Sequence, residues 1–455
     1  MDYTRMLAEF CAGLSFEDLS PEVTHKAKLC ILDYIANIYG SLELATVKGL
    51  VKYVRSLGGK KQATALGCGF MTGIQNAAFI NGTTAEAIEA QDGLRFGGNH
   101  PVSAVIPTAF ALAEASSNNG KEIIAAIVAG YEAANRSAAA MHPYHTLSGF
   151  LPTGTCGTFG AAAAAAKLMQ LSAEGMLNAL GNAGYLLPLS MAEQLMGGYT
   201  IKIVQGGQAA SAGIMAAGLA KTGITGCPQV LEGSALKGGF TQITVRGEPK
   251  CERITDKLGE HFSIMDIYFK PYTACRHTHG AAQATLEIIK EHAFRIEDIA
   301  SVEVDTYGIA VIAVGKGVPE NGSFVSAQFS IPYVVAVCLL DRKLGPTQLT
   351  EKRIADPTVI ALSKKVTVRG DDELNKVYPE MTSSRVTIRL QSGKTLVKQV
   401  DIPKGDPRVP MDVTDIADKL REFAGKRDKE KIESIIALTM RFETLPSLHE
   451  LARMI

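Results

Sequence analysis

The stretch Ala161-Ala162-Ala163-Ala164-Ala165-Ala166, together with Ala209-Ala210-Ser211-Ala212-Gly213, decides the predicted fold. Side chains this small let helix axes approach one another closely, and in water they favour a large, tightly packed helical bundle. A membrane span would need an uninterrupted apolar segment, but the longest charge-free stretch, residues 146–166, contains a proline and several glycines. We therefore predict closely packed helices and no membrane partner.

Cap signals extend this helical pattern outward on both sides. Ser20, Pro21 and Glu22 supply an N-cap, a first helical residue and an acidic first turn, so a helix is predicted from there to Gly40. Apolar residues at three- and four-residue spacing predict further helices in the first half of the chain, over residues 74–89, 103–115 and 121–140.

The pattern changes near Tyr268, where alternation of apolar and polar residues begins. Strands are predicted over residues 300–307, 365–368 and 384–390, and helices over residues 280–293 and 327–340. The tail is helical again. We therefore predict a mainly α protein with a large all-helical domain, residues 1–266 and 405–455, and a smaller α+β domain, residues 267–404.

Composition excludes several classes of protein. The 455 residues contain 46 Lys+Arg and 46 Asp+Glu, so no net field attracts nucleic acid, and any anionic ligand must be held by local groups. The eight cysteines form no Cys-x-x-Cys pair or dense framework, which favours reduced thiols and a cytoplasmic location. The dinucleotide, Walker and nucleophile-elbow motifs are missing from the sequence.

Three polar segments are candidate sites. The loop from Ala90 to Pro101 carries Asp92, Arg95 and His100 among three glycines, which let the backbone approach a ligand closely; the alternative is a solvated surface turn. Lys202 lies beside an apolar run, so it must either reach water or have a buried partner.

The third segment, residues 270–280, lies at the predicted domain boundary, where ligand sites are common. It contains Lys270, Tyr272, Arg276, His277 and His279.

Metal binding and thiol chemistry are weaker interpretations. The pairs His142/His145 and His277/His279 could supply imidazoles, but they lack the usual metal spacing, and no metal is predicted. Cys156 at a helix start could be a nucleophile, although a small packed residue is the commoner case.

Taken in order, these segments resemble the MmgE/PrpD family, which includes 2-methylcitrate dehydratase, cis-aconitate decarboxylase and iminodisuccinate epimerase. The likeness covers nearly the whole chain and rests on the 92–101 loop, residues 152–163, Lys202 before Gly-Gln-Ala-Ala, residues 270–279, residues 327–333 and Tyr378-Pro379. The resemblance implies a lid-like α+β domain, a homodimer and a cleft between the domains for a small carboxylate substrate.

The resemblance also assigns roles to residues. It implies catalytic roles for Asp92, His100, Lys202 and His279. Arg95, Lys270, Tyr272, Arg276, His277 and Tyr333 are the candidate substrate-binding residues. Cations can grip carboxylates while an imidazole moves a proton, and such proton transfers need no cofactor.

The sequence departs from the family pattern at three positions and in a shorter loop between Asp92 and His100; at one of the three, Phe96 stands near an expected threonine. Leu151 stands where the decarboxylases carry a histidine, and Cys275 aligns with another. The leading prediction is a lyase, either a dehydratase or a decarboxylase, that removes a proton next to a carboxylate of a di- or tricarboxylic acid. The alternatives are an epimerase of a dicarboxylate such as iminodisuccinate, with Lys202 opposite Tyr144 or His145, and a non-catalytic carboxylate-binding protein.

Overall fold

A computed structural model describes all 455 residues and is mainly helical. The helices are α1 (Tyr3–Gly13), α2 (Pro21–Ser41), α3 (Ala45–Leu57), α4 (Ile74–Glu86), α5 (Val102–Ser116), α6 (Gly120–Met141), α7 (Tyr144–Leu147), α8 (Pro152–Leu168), α9 (Ala173–Leu186), α10 (Ala192–Met196), α11 (Gln205–Lys221), α12 (Phe240–Ile243), α13 (His279–Glu291), α14 (Gly308–Val314), α15 (Phe324–Gln328), α16 (Ile331–Asp341), α17 (Glu351–Ile354), α18 (Pro357–Ser363), α19 (Asp372–Lys376), α20 (Val413–Ala424), α21 (Lys429–Met440) and α22 (His449–Met454). None is long and apolar enough to cross a membrane.

The strands form three separate sheets. They are β1 (Ala63–Ala65), β2 (Phe70–Thr72), β3 (Gly93–Leu94), β4 (Ile267–Tyr268), β5 (Ile299–Thr306), β6 (Val366–Gly370), β7 (Ser384–Leu390) and β8 (Thr395–Val400). The largest sheet has the order β6-β5-β7-β8; β5 pairs parallel to β6 and antiparallel to β7, which pairs antiparallel to β8. The mainly α class with a smaller α+β part is thereby confirmed.

The alanine-rich helices occupy the centre of the bundle, as the sequence predicts. Helix α8 packs against α6, α11 and α5, and its residues Ala161–Ala166 are fully buried. The close approach depends on missing side chains: a Cβ on Gly213 of α11 would overlap Ala161 of α8. A substitution larger than alanine along this seam would push the two helices apart.

The tail crosses back over the bundle. Helices α20 and α21 pack against α2, and the Lys419 ammonium donates to the Asp33 carboxylate, 2.6 Å, and to the Ala90 carbonyl, 2.6 Å. All three residues are buried. This contact ties the C-terminal helices to the chain just before the Asp92 loop.

Most predicted elements are found, with Ser20 accepting from the Val23 amide as the N-cap of α2. The structure differs from the prediction in three details. The first 266 residues are not all helical, because they contain the β1–β2 hairpin and β3. The helix predicted over 327–340 is two helices, because Ser330 caps a new one and Pro332 occupies its first turn. The helix predicted over 74–89 ends at Glu86.

Candidate active site

The centre of the polar interior is Glu89, just beyond the end of α4. Its backbone is left-handed, φ 54°, which is costly for a residue with a side chain. The carboxylate is 98% buried yet has three basic neighbours: Lys202 donates to Oε2, Lys270 donates to Oε1 at 2.7 Å, and His100 Nε2 lies 3.7 Å from Oε1. Strain of this kind at a buried charge is typical of functional sites.

A second carboxylate completes the set that we call the Glu89 cluster: Glu86, Glu89, His100, Lys202 and Lys270. Glu86 is the last residue of α4, and its Oε1 lies 3.1 Å from Lys202 Nζ. The amide of Gly206, in the first turn of α11, donates to its Oε2 at 3.0 Å. Lys202 is therefore held between two glutamates by the turn that precedes α11.

Charge neighbours decide the protonation of the cluster. Burial alone would raise the pKa of Glu89, but Lys202, Lys270 and His100 together hold it well below its usual value. Burial would lower the pKa of Lys202, but the two glutamates raise it instead. The cluster therefore holds an ionised Glu89 and a charged Lys202 at neutral pH.

His100 is neutral and held in one tautomer. Burial and the nearby Lys270 lower its pKa to about 3. Its Nδ1 lies 2.5 Å from the Asp92 carbonyl oxygen, which can only accept, so Nδ1 carries the hydrogen and Nε2 carries the lone pair. The backbone amide of His100 donates to Thr153 Oγ1 at 3.0 Å, which fixes the loop against α8.

The carboxylate of Asp92, a predicted catalytic residue, lies outside the Glu89 cluster. Oδ1 accepts from the Val102 amide, 3.2 Å, and Oδ2 accepts from the Tyr131 hydroxyl, 2.7 Å, in a fully buried pocket. Burial raises the pKa of Asp92 to about 7. The residue closes the loop and orients His100 through its main-chain carbonyl, while Glu89 supplies the carboxylate of the cluster.

The segment 270–280 reaches the cluster at its first half. Lys270 is completely buried against Glu89, and Cys275, at 8% exposure, is near enough for Glu89 and Lys270 to influence its thiol. Burial, with Glu89, raises the pKa of that thiol to about 11. The Phe329 ring lies 5.7 Å from Lys202 Nζ and forms an apolar wall.

The second half of this segment points elsewhere. His277 Nδ1 lies 2.6 Å from the Tyr307 hydroxyl, and burial lowers its pKa to about 4. His279 Nε2 lies 3.1 Å from the Ala274 carbonyl oxygen, and its ring packs 5.2 Å from that of Tyr272. No hydrogen bond joins either histidine to the cluster, so their predicted roles stay predictions.

Arg276, Arg95 and Tyr333 are engaged by backbone carbonyls. Arg276 donates to Pro403 and Lys404, and Arg95 donates to Pro379 and Glu380. The Tyr333 hydroxyl donates to the Gln348 carbonyl, outside the cluster. The Arg276 guanidinium keeps its net charge, because carbonyls accept hydrogen bonds without neutralising it, whereas Arg95 also faces the Asp406 carboxylate.

Arg95 also borders a cavity of about 580 Å³. The cavity lies between the glycine-rich loop, the segment near His261 and the loop around Arg408. Arg95 bridges these parts, since its Nε lies 4.0 Å from the Asp406 carboxylate. Together with its bonds to the Pro379 and Glu380 carbonyls, Arg95 thus connects the loop that holds His100 to the α+β part of the chain.

Other candidates are explained by packing. His145 is buried with Nδ1 3.1 Å from Thr244 Oγ1 and Nε2 2.8 Å from Thr155 Oγ1, so it is not available as a metal ligand or base. Cys156 is fully buried, and burial raises the pKa of its thiol to about 12. Nowhere do three His, Cys, Asp or Glu side chains converge to hold a metal ion.

Sequence reasoning missed Glu86 and Glu89, because both looked like ordinary helix residues. A partial signal was present: two carboxylates stand three residues apart among the apolar residues of Ala85–Ala90, as they would on one face of the helix predicted there. Two acids on a buried face require cationic partners. Lys202, beside its own apolar run, was the complementary clue.

Comparison with known proteins shows the family to which the chain belongs. Residues 5–252 match the MmgE/PrpD N-terminal domain and residues 272–441 match the C-terminal domain. A cis-aconitate decarboxylase of Aspergillus terreus is 27% identical over 99% of this chain and 95% of its own length, and that of Homo sapiens is 28% identical over 81% and 76%. A 2-methylcitrate dehydratase of Cupriavidus necator is 25% identical over 53% of this chain and 51% of its own.

Proposed function

Because the chain belongs to the MmgE/PrpD family, we propose that it is a cofactor-independent lyase acting on a small di- or tricarboxylic acid. The reaction begins with removal of a proton next to a carboxylate. The relatives named above are a decarboxylase and a dehydratase of such acids, which supports both the enzyme class and the substrate class.

The observation that carries this proposal is the ionised Glu89 between two lysines and beside a neutral imidazole. His100 Nε2 takes the proton, and Glu89, 3.7 Å away, stabilises the imidazolium that forms. The charge left on the substrate is stabilised by the two buried ammonium groups, which act strongly because water is excluded.

The test is turnover by metal-free protein. We expect conversion of at least one compound from a panel of citrate-like, aconitate-like and amino-dicarboxylate acids, followed by mass spectrometry in deuterated solvent. Lys202→Ala should lose at least about 100-fold in kcat/KM, since a buried charge-assisted donor contributes about 3 kcal/mol. Lys221→Ala, an exposed lysine at the far end of α11, is the matched control. Full activity of Lys202→Ala would refute the proposal.

The epimerase alternative gains no support from the site. It requires a second base facing Lys202, but His145 is saturated by two threonines and Tyr144 is exposed. Deuterium incorporation without loss of water or carbon dioxide would favour it. Tight binding of a carboxylate with no turnover would favour a non-catalytic binding protein instead.

We also propose a homodimer located in the cytoplasm. The dimer is supported by large apolar side chains exposed along one segment, including Tyr185 (92%), Tyr199 (62%) and Leu189 (60%). The location is supported by eight cysteines that are all free thiols. Light scattering should give twice the mass of 48.4 kDa, and a monomer would contradict the first point.

A further inference from the structure

Residues with unpartnered polar atoms lie near Glu86 and Gly154. The buried atoms Ser103 Oγ, Ser190 Oγ and Gln205 Oε1 have no hydrogen-bond partner. Gly154 brings two of these residues together, because a Cβ there would overlap the Ser190 hydroxyl and lie 3.2 Å from Gln205 Cβ. Buried polar atoms without partners are costly, so such a group indicates a missing ligand or water.

The side-chain amide of Gln205 has only one acceptable orientation. Its Nε2 donates to Glu86 Oε1 at 2.6 Å, and rotating the amide would place two oxygen acceptors against each other. Oε1 must therefore point away from Glu86 without a partner. The residue is 93% buried, so its acceptor lies in the protein interior, and its Nε2 shares Glu86 Oε1 with Lys202 Nζ.

An unpartnered amide oxygen selects its ligand by chemistry. It cannot bind a carboxylate, which only accepts hydrogen bonds. An ammonium would be repelled by Lys202, whose Nζ shares Glu86 with Gln205. A hydroxyl satisfies both conditions, because it donates to Gln205 Oε1 and accepts from Ser190 or Lys202.

We propose that Gln205 and Ser190 form a hydroxyl-binding subsite that makes this lyase selective for hydroxy acids. The inference rests on the proposed function. In the dehydration, the C–H bond breaks and its proton passes to His100 Nε2, while its electron pair forms the C=C bond. The C–O bond breaks, and the leaving oxygen takes a proton from Lys202 Nζ to give water. Glu89, bonded to Lys202 and 3.7 Å from His100, returns the proton to the lysine.

The test compares two acids that differ in one hydroxyl, citrate and propane-1,2,3-tricarboxylate, by calorimetric binding to the full-length protein. The wild type should bind citrate about tenfold more tightly, as expected for one buried hydrogen bond. Gln205→Met should reduce that ratio to near one. Gln208→Met, exposed on the same helix, should leave the ratio unchanged.

The ratio separates this subsite from general damage, because a general loss of carboxylate binding would weaken both acids equally. Ser190→Ala, which leaves the Glu86 contacts intact, should also lower the ratio and covers the case in which Gln205→Met fails to fold. Binding of both acids with an unchanged ratio in both variants would overturn the subsite while leaving the lyase proposal standing. Failure of the wild type to bind either acid would overturn both.

Discussion

Replacing Glu89 by glutamine is the sharpest test of the site. The change keeps the shape of the side chain but removes the charge that faces Lys202, Lys270 and His100. At 2.7 Å and an effective dielectric constant of about 20, the attraction between the Glu89 and Lys270 charges is roughly 6 kcal/mol before desolvation is counted. Breaking a buried ion pair on one side costs about 3–5 kcal/mol net.

The same charge stabilises the imidazolium of His100 during proton transfer. If about 3 kcal/mol of that stabilisation is lost, kcat/KM falls by at least about 100-fold. We therefore expect Glu89→Gln to lose both stability and turnover, as measured by urea unfolding and by initial rates on the acid that the panel identifies.

Asp92→Asn is the matched control, because the sequence assigned the catalytic carboxylate to Asp92. Its Oδ1 can still accept from Val102, and its new amide can donate to the Tyr131 oxygen, so we expect kcat/KM within about tenfold of the wild type. An active Glu89→Gln with an inactive Asp92→Asn would refute the assignment drawn from the structure.

Three further outcomes follow from the same contacts. Burial raises the pKa of Asp92 to about 7, so the folded protein binds this proton more tightly than the unfolded chain does. The free energy of unfolding should therefore fall by up to about 1.4 kcal/mol per pH unit as pH rises from about 4 to 7. Asp92→Asn should remove that slope, as measured by urea unfolding. Because the pKa of His100 is lowered to about 3, we expect kcat/KM of Asp92→Asn to stay constant from pH 8 to 5 after correction for substrate ionisation. A fall in kcat/KM with a midpoint near pH 6.5 would contradict the neutral imidazole. Tyr333→Phe should keep kcat and KM within about threefold and lower the free energy of unfolding by about 1 kcal/mol, because the hydroxyl donates to the Gln348 carbonyl. A large rise in KM would instead support the predicted contact of Tyr333 with the substrate.

The sequence predicted the bundle well because its signals are local. The cap at Ser20 and the alanine runs depend on neighbours within one or two turns, and the structure reproduces both. The short strands β1 and β2 carry no such signal, since three residues cannot establish an alternating pattern.

The site was predicted less completely, because its chemistry depends on contacts between distant segments. Lys202 and Glu89 are 113 residues apart, and nothing near either shows that they meet. Asp92 attracted the assignment because it stands beside glycines and His100, yet its side chain points into the bundle. Only the left-handed turn at Glu89 directs a carboxylate toward the lysines, and sequence periodicity does not reveal it.

The contact between Lys419 and the Ala90 carbonyl has a consequence for folding during synthesis. The two residues are 329 positions apart, and the carbonyl belongs to the residue that follows Glu89. On a ribosome, which adds about 5–20 residues per second, the neighbourhood of Glu89 stays unfinished for roughly 15 to 65 seconds after it has been synthesised. The contacts of Lys419 with Asp33 and Ala90 therefore form only after the late helices have been synthesised.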